Sequence, residues 1–273
     1  MDAVAVGHRA MASNLSDIAS MGARPVLATI ALGLTAEIGE TWIVECYRAM
    51  NDLASAHGAQ IAGGDITRSP AILLSITIVG EVSRSRLKRR DGGRPGDILA
   101  VTGALGASRA GLEVLRGDVA LDQAMRLAAL RAFATPQPRI GEGRWLGASA
   151  HVHAMMDCSD GLALDVSRLA RASGCGATLE EIPIAPEAAA VAAATGGDAR
   201  TYALEGGEDF ELIAAVAPRA FAHLARRFKA HFRRPLRAVG RLDVEPGLRL
   251  REGPDLVRDV VPAGWDHLGT LGS

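Results

Sequence analysis

Aromatic residues are few: Phe, Trp and Tyr make up 4% of the 273 positions, so a core must be built mainly from Ala, Val, Leu and Ile. Cysteine is also sparse. Cys46, Cys158 and Cys175 show no C-x-x-C spacing, and their odd number argues against a disulfide framework. That usage fits a reducing, cytoplasmic setting. No stretch approaches the ~18 unbroken apolar residues of a transmembrane helix, so no membrane partner is expected. The opening MDAVAVGHRAMASNLSD lacks the apolar run and cleavage site of a signal peptide. Charge of one sign is missing too: 30 basic residues face 31 acidic ones, which argues against a bulk polycation for nucleic acid. What is present is a hydrophobic share of 48% and a charged share of 22%, spread along the whole chain, enough for a buried core and a polar surface.

Strand-like and helix-like segments alternate, which defines an α/β or α+β protein. Residues 7–21 carry apolar positions at helical spacing and stop at Gly22 and Pro25. Residues 25–34 read as a buried strand, 37–57 as a helix, 59–62 as a short strand and 71–82 as an alternating strand. The basic, glycine-rich stretch 83–97 is the best boundary. It suggests a first unit over 1–90 and a second over 91–273. In the second, strands are expected near 97–102, 151–156, 177–181 and 210–216, with helices between them and short strands in the tail.

Four acidic motifs are expected at strand ends or turns: Asn14-Leu15-Ser16-Asp17, Gly63-Gly64-Asp65, Asp157-Cys158-Ser159-Asp160-Gly161 and Gly207-Glu208-Asp209. A carboxylate beside small residues suits Mg²⁺, which takes oxygen ligands and borrows phosphate oxygens. It also suits a plain turn, which is the commoner case for any one motif. Asp157 and Asp160 stand apart, because two carboxylates three residues apart can face one cation; equally, Asp160 can cap the following helix. Thr102-Gly103-Ala104-Leu105-Gly106 follows a strand and opens a helix, a phosphate-cradle geometry. It matches neither dinucleotide nor P-loop spacing, so a tight strand–helix turn is favoured. The basic run Arg84, Arg86, Lys88, Arg89, Arg90 and Arg94 can grip phosphates or form a solvated linker. No nucleophile system is apparent: the acids flanking Cys158 would raise its pKa. Trp265 can stack on a flat ring or plug a core.

Taken in order, GHRAMASNLSDIASMGARP, IAGGDITRS, RRDGGRPGDILAVTGALGAS, MDCSDGLALD, LEGGEDFEL and GWDHL resemble the thiamine-monophosphate kinase family. That family lies in the superfamily of aminoimidazole ribonucleotide synthetase and selenophosphate synthetase. The resemblance covers essentially the whole chain. It implies a two-subdomain aminoimidazole ribonucleotide synthetase-like fold whose first part is an ATP/Mg-binding and dimerisation unit, and a homodimer. It implies direct transfer of the γ-phosphoryl group of ATP to the phosphate of thiamine monophosphate, giving thiamine diphosphate and ADP.

By the same resemblance Asp17, Asp65, Asp157 and Asp160 hold Mg²⁺. Gly64, Asp65 and Ser159 contact ATP, Arg90 pairs with its phosphates, and Tyr47 helps line the nucleotide site. Glu208 and Trp265 bind the thiamine part. Family members also carry a preceding stretch with G-D-D-A-A and G-x-H-F motifs, so the first unit here is expected to be incomplete. Two alternatives stand beside the kinase reading. One is another ATP-dependent enzyme of the superfamily; the other, from a different class, is a catalytically impaired nucleotide-binding fragment.

Overall fold

The architecture comes from a computed structural model, in which residues 1–253 and 256–264 are described. Helix α1 (Ala3–Ser20) begins where the Asp2 carboxylate accepts from the Ala5 amide at 2.8 Å, a side-chain cap on the free helix amides. Strand β1 (Arg24–Leu34) follows, then α2 (Glu40–Ala56), β2 (Gln60–Arg68) and β3 (Leu73–Glu81). β1 is the middle strand, parallel to β2 and antiparallel to β3. A parallel neighbour needs a crossover, and α2 provides it. Alternation then decides the faces. Ala28, Ile30 and Leu32 of β1 are buried under Met11 and Leu15 of α1 and Met50 of α2, while Thr29 and Ala31 point away and are exposed. β3 repeats the pattern, with Leu74, Ile76 and Ile78 facing inward. The outer face is open: Leu73 is 61% exposed and Val79 47%.

The second unit holds a seven-stranded sheet. Its strands are β4 (Ile98–Val101), β5 (Val152–Cys158), β6 (Gly176–Leu179), β7 (Glu211–Val216), β8 (Arg237–Asp243), β9 (Leu248–Arg251) and β10 (Val257–Val260), in the order β10-β9-β6-β8-β4-β7-β5. Its pairs are antiparallel except β6 with β9. Helices α3 (Ala107–Arg116), α4 (Gln123–Ala134), α5 (Ile140–Gly147), α6 (Leu162–Ala172), α7 (Pro186–Thr195), α8 (Ala199–Glu205) and α9 (Pro218–Phe232) complete it. Every residue of β7 is buried, because both faces of that strand are covered. Leu212, Ala214 and Val216 enter the core shared with α1, β1 and α9. Ile213 and Ala215 enter a second core with Val166 and Leu169 of α6. The first core therefore runs through both units, with α1 between the two sheets.

The structure departs from the sequence expectation in two places that matter. β2 runs on to Arg68, so Gly63-Gly64-Asp65 lies inside a strand and not at a turn. A Cβ on Gly64 would stand 1.8 Å from the Ile30 carbonyl oxygen, so close backbone approach and not turn geometry accounts for that glycine. The tail carries the expected short strands β8, β9 and β10, but α9, a helix absent from the sequence expectation, precedes them. Pro218 opens it, and Phe221, Leu224, Ala225 and Phe228 form its apolar stripe. Phe228 packs edge-on against Trp145 at 5.7 Å between ring centres.

Candidate active site

The C-terminal end of α1, the linker residues Lys88, Arg89 and Arg90, and the end of β5 enclose a cleft of about 550 Å³. Asp17 enters from α1 and Asp157 from β5. Asp17 thus lies on a helix, not at the strand end or turn expected for its motif. Asp157 is buried, and the Ser16 hydroxyl donates to its Oδ2 at 2.8 Å. Burial, and then the charge of Asp17, push the Asp157 carboxyl up to about 7. Burial also raises Asp17, partly offset by the Arg90 guanidinium. Two acids that repel each other in a half-enclosed cleft form an oxygen-rich site, and a bound divalent cation would reverse the sign of that repulsion. The chemistry of this donor set fits Mg²⁺. Lys88 is buried and turned aside, its Nζ donating to the Ser149 carbonyl at 2.9 Å.

β5 leads into the turn Cys158-Ser159-Asp160-Gly161. The Asp165 carboxylate of α6 accepts from the amides of Ser159 (3.0 Å) and Asp160 (2.9 Å) and sets the turn's shape. The Asp160 carboxylate is ion-paired with Arg168 on α6; the N-cap of α6 is Gly161, with no side-chain cap. The capping role open to Asp160 in the sequence is not taken.

The loop Gly207-Glu208-Asp209-Phe210 is laced to this turn. The Glu208 amide donates to the Ser159 carbonyl at 2.7 Å and the Phe210 amide to the Cys158 carbonyl at 3.0 Å. Glu208 (φ 56°) and Phe210 (φ 49°) both adopt the left-handed conformation, which side chains other than glycine rarely accept. Asp209 explains the helix opening at Gly106. Its carboxylate accepts from the amides of Gly106 (2.6 Å) and Ser108 (3.2 Å), filling the place a phosphate would take in a cradle there. Glu211 accepts from Thr102 Oγ1 (2.5 Å), Arg139 (2.8 Å) and Arg234 (2.6 Å). Burial raises the Glu211 carboxyl, but the two guanidiniums outweigh it and leave the net shift downward. From the other unit, Arg9 of α1 donates to Glu208 Oε1 at 2.5 Å, donates to the Phe133 carbonyl, and lies 3.9 Å over the Phe133 ring.

Tyr47, Gly64 and Asp65 occupy a different place, a shallow hollow of about 500 Å³ on α2 and β2. Arg90 stands apart from them, beside Asp17. The structure thus brings Asp17, Asp157 and Arg90 together, groups Ser159 and Asp160 with Glu208, and keeps the exposed Asp65 separate. Trp265 lies outside the described residues. Sequence reasoning missed Arg9, Asp165, Arg168 and Glu211. Glu211, Asp165 and Arg9 lie inside the quoted runs LEGGEDFEL, MDCSDGLALD and GHRAMASNLSDIASMGARP, which could have found them; Arg168 carried no such signal.

Residues 1–82 match the family model for the AIR synthase related protein, N-terminal domain, and residues 94–251 match its C-terminal domain. Fold, cleft and paired domains thus define an AIR synthase related protein. A thiamine-monophosphate kinase from Synechococcus elongatus is 34% identical over 274 residues, covering 97% of this chain and 80% of that protein. The crystal structure of thiamine-monophosphate kinase from Stenotrophomonas maltophilia K279a superposes with a TM-score of 0.83 at 33% identity, covering 92% of this chain and 79% of that one. The structure of AaThiL complexed with AMPPCP and TMP superposes with a TM-score of 0.86 at 29% identity, covering 98% and 81%. The chain belongs to the thiamine-monophosphate kinase family.

Proposed function

We propose that the protein transfers the γ-phosphoryl group of ATP to the phosphate of thiamine monophosphate, yielding thiamine diphosphate and ADP. The carrying observation is the Asp17–Asp157 pair beside Arg90, two mutually repelling carboxylates at the wall of one cleft. Bound Mg²⁺ would neutralise phosphate oxygens, which with positioning is most of what this reaction class requires. Asp17 and Asp157 would hold it; Asp160, on the turn after β5, and Asp65, in the separate hollow on β2, are the further carboxylates this reading assigns to metal. Arg90 would pair with the nucleotide phosphates. Ser159 and the backbone at Gly64 would touch ATP, and Tyr47 would line the nucleotide hollow. Glu208 would face the cationic thiamine ring, with Trp265 stacked on it. Transfer would be direct: burial and then the surrounding carboxylates push the Cys158 thiol well above its ordinary range, so it is no nucleophile.

In this reading residues 1–90 form the ATP/Mg-binding and dimerisation unit and residues 91–273 the second unit. The open face of the β2-β1-β3 sheet supports a homodimer, since Leu73 and Val79 are exposed there and β2 and β3 are both edge strands. All three cysteines are free and buried, in keeping with a cytoplasmic setting. Among the described residues no helix is long and apolar enough to cross a membrane. The test is product analysis with ATP, Mg²⁺ and thiamine monophosphate. Formation of thiamine diphosphate that depends on Mg²⁺ and on Asp17 supports the proposal; thiamine monophosphate left unchanged while ATP is hydrolysed sinks it.

A further inference from the structure

We infer that Asp209 is a positioning residue for substrate binding: it clamps the loop on α3 so that Glu208 is presented in a backbone conformation it would not otherwise hold. The inference rests on the reading of Glu208 as the carboxylate that meets the thiamine part. Three observations carry it. First, the loop is strained at Glu208 (φ 56°) and Phe210 (φ 49°), the residues on either side of Asp209. Left-handed backbone at such residues persists only where the surroundings over-determine it. Second, α3 has no cap of its own. Its N-cap, Gly106 at φ 89°, offers no side chain, and the Asp209 carboxylate supplies the missing acceptor from a hundred positions away in sequence, accepting at 2.6 and 3.2 Å. Third, the other contacts hold the loop at its backbone and at the Glu208 side chain, which pairs with Arg9 of α1. Glu208 and Phe210 donate to Ser159 and Cys158, and Glu211 is tied to Thr102, Arg139 and Arg234. Asp209 is the side chain between them that fastens the tip to a rigid helix. Its acidity therefore serves the protein's own amides and not a metal.

The inference separates two acids adjacent in one motif. Glu208 touches substrate; Asp209 acts through Glu208. A double-mutant cycle tests this, read by titration calorimetry with thiamine monophosphate and, separately, with ATP and Mg²⁺ on Glu208→Gln, Asp209→Ala, Asp209→Asn and Glu208→Gln/Asp209→Ala. Asp209→Ala should weaken thiamine monophosphate binding by about tenfold and leave ATP binding within about twofold, the scale of one lost charge-assisted contact. Asp209→Asn, which keeps one acceptor, should fall between Ala and the native residue. In the Glu208→Gln background the Asp209→Ala change should add almost nothing, because the group it positions is already neutral.

A general folding defect would weaken ATP and thiamine monophosphate alike, and that result overturns the inference. A full Asp209→Ala effect persisting in the Glu208→Gln background overturns it too, since Asp209 would then act independently. If Glu208→Gln weakens thiamine monophosphate binding and neither Asp209 variant does, the inference fails while the reading of Glu208 stands. If Glu208→Gln itself leaves thiamine monophosphate binding unchanged, the reading of Glu208 fails first and the inference falls with it.

Discussion

The two sheets of this molecule bury themselves differently. The three-stranded sheet is covered on one side by α1 and α2 and open on the other, and nearly all of β2 is exposed. The seven-stranded sheet is closed over much of its extent, and every residue of β6 and β7 is buried. The candidate site divides the same way. Asp157, Ser159 and Asp160 leave the buried strand β5, while Gly64 and Asp65 ride on the exposed strand β2. The difference teaches where geometry is fixed by this chain alone. Residues rooted in the closed sheet are held by packing on both sides, by Ser16 and by Asp165. Residues on the open sheet have one packed face, and in the proposed homodimer a second copy would cover the other.

The largest effect should come from the closed side. Asp157→Asn should lower turnover by about three orders of magnitude, equivalent to several kcal/mol of transition-state charge stabilisation. Measured without Mg²⁺ near pH 7.5, its melting temperature should equal or exceed that of the native protein, since the change removes a charge that burial and Asp17 disfavour. A large fall in melting temperature would make Asp157 a structural residue and erase the contrast.

Next in size is Glu211→Gln, which leaves Arg139 and Arg234 without their buried partner. It should cost about 3–5 kcal/mol at neutral pH by chemical denaturation. The sign with pH follows from the downward net shift of Glu211. Its contribution is complete above the ordinary glutamate value of 4.5 and is lost as pH falls through the lower, folded-state value. The variant should therefore show a flatter loss of stability below pH 4.5 than the native chain. Equal acid limbs would show that the network carries no linked charge.

Phe228→Ala should cost about 3–5 kcal/mol, as a fully buried aromatic in the shared core. Gly64→Ala sharpens the comparison from the open side. β2 is exposed, yet a Cβ at Gly64 would press into the Ile30 carbonyl, so a cost of about 1–3 kcal/mol is expected with weaker ATP binding. The smallest effect on subunit stability should be Leu73→Ser, within about 0.5 kcal/mol. The same substitution should shift sedimentation toward the monomer if the open face is a dimer interface, and leave it unmoved if that face is simply solvent-exposed.

What could be read in advance follows the range of the interactions. An apolar run marked β1, period-two alternation marked β3, and helical spacing marked α1, because those patterns are local. The extent of β2 was hidden, because Gly63 and Gly64 look like a turn until the Ile30 carbonyl is seen against them. The quoted motifs located the acids at the site, but not their division of labour. Asp17 and Asp157 meet across 140 positions in a cleft that no spacing reveals, and Asp209 turns to the amides of α3. Arg9, which joins the first unit to Glu208, stands inside a quoted motif, but its partner could not be read there, since an exposed arginine on a helix face would look the same.

The central claim is that the acids at the end of β5 and on α1 serve phosphoryl transfer to thiamine monophosphate. The most direct test is to quantify ADP and thiamine diphosphate together, from ATP, Mg²⁺ and thiamine monophosphate, with the native chain and Asp157→Asn. The account predicts equal amounts of both products from the native chain and neither from the variant. Tight nucleotide binding with no thiamine diphosphate, or undiminished product from Asp157→Asn, would contradict it.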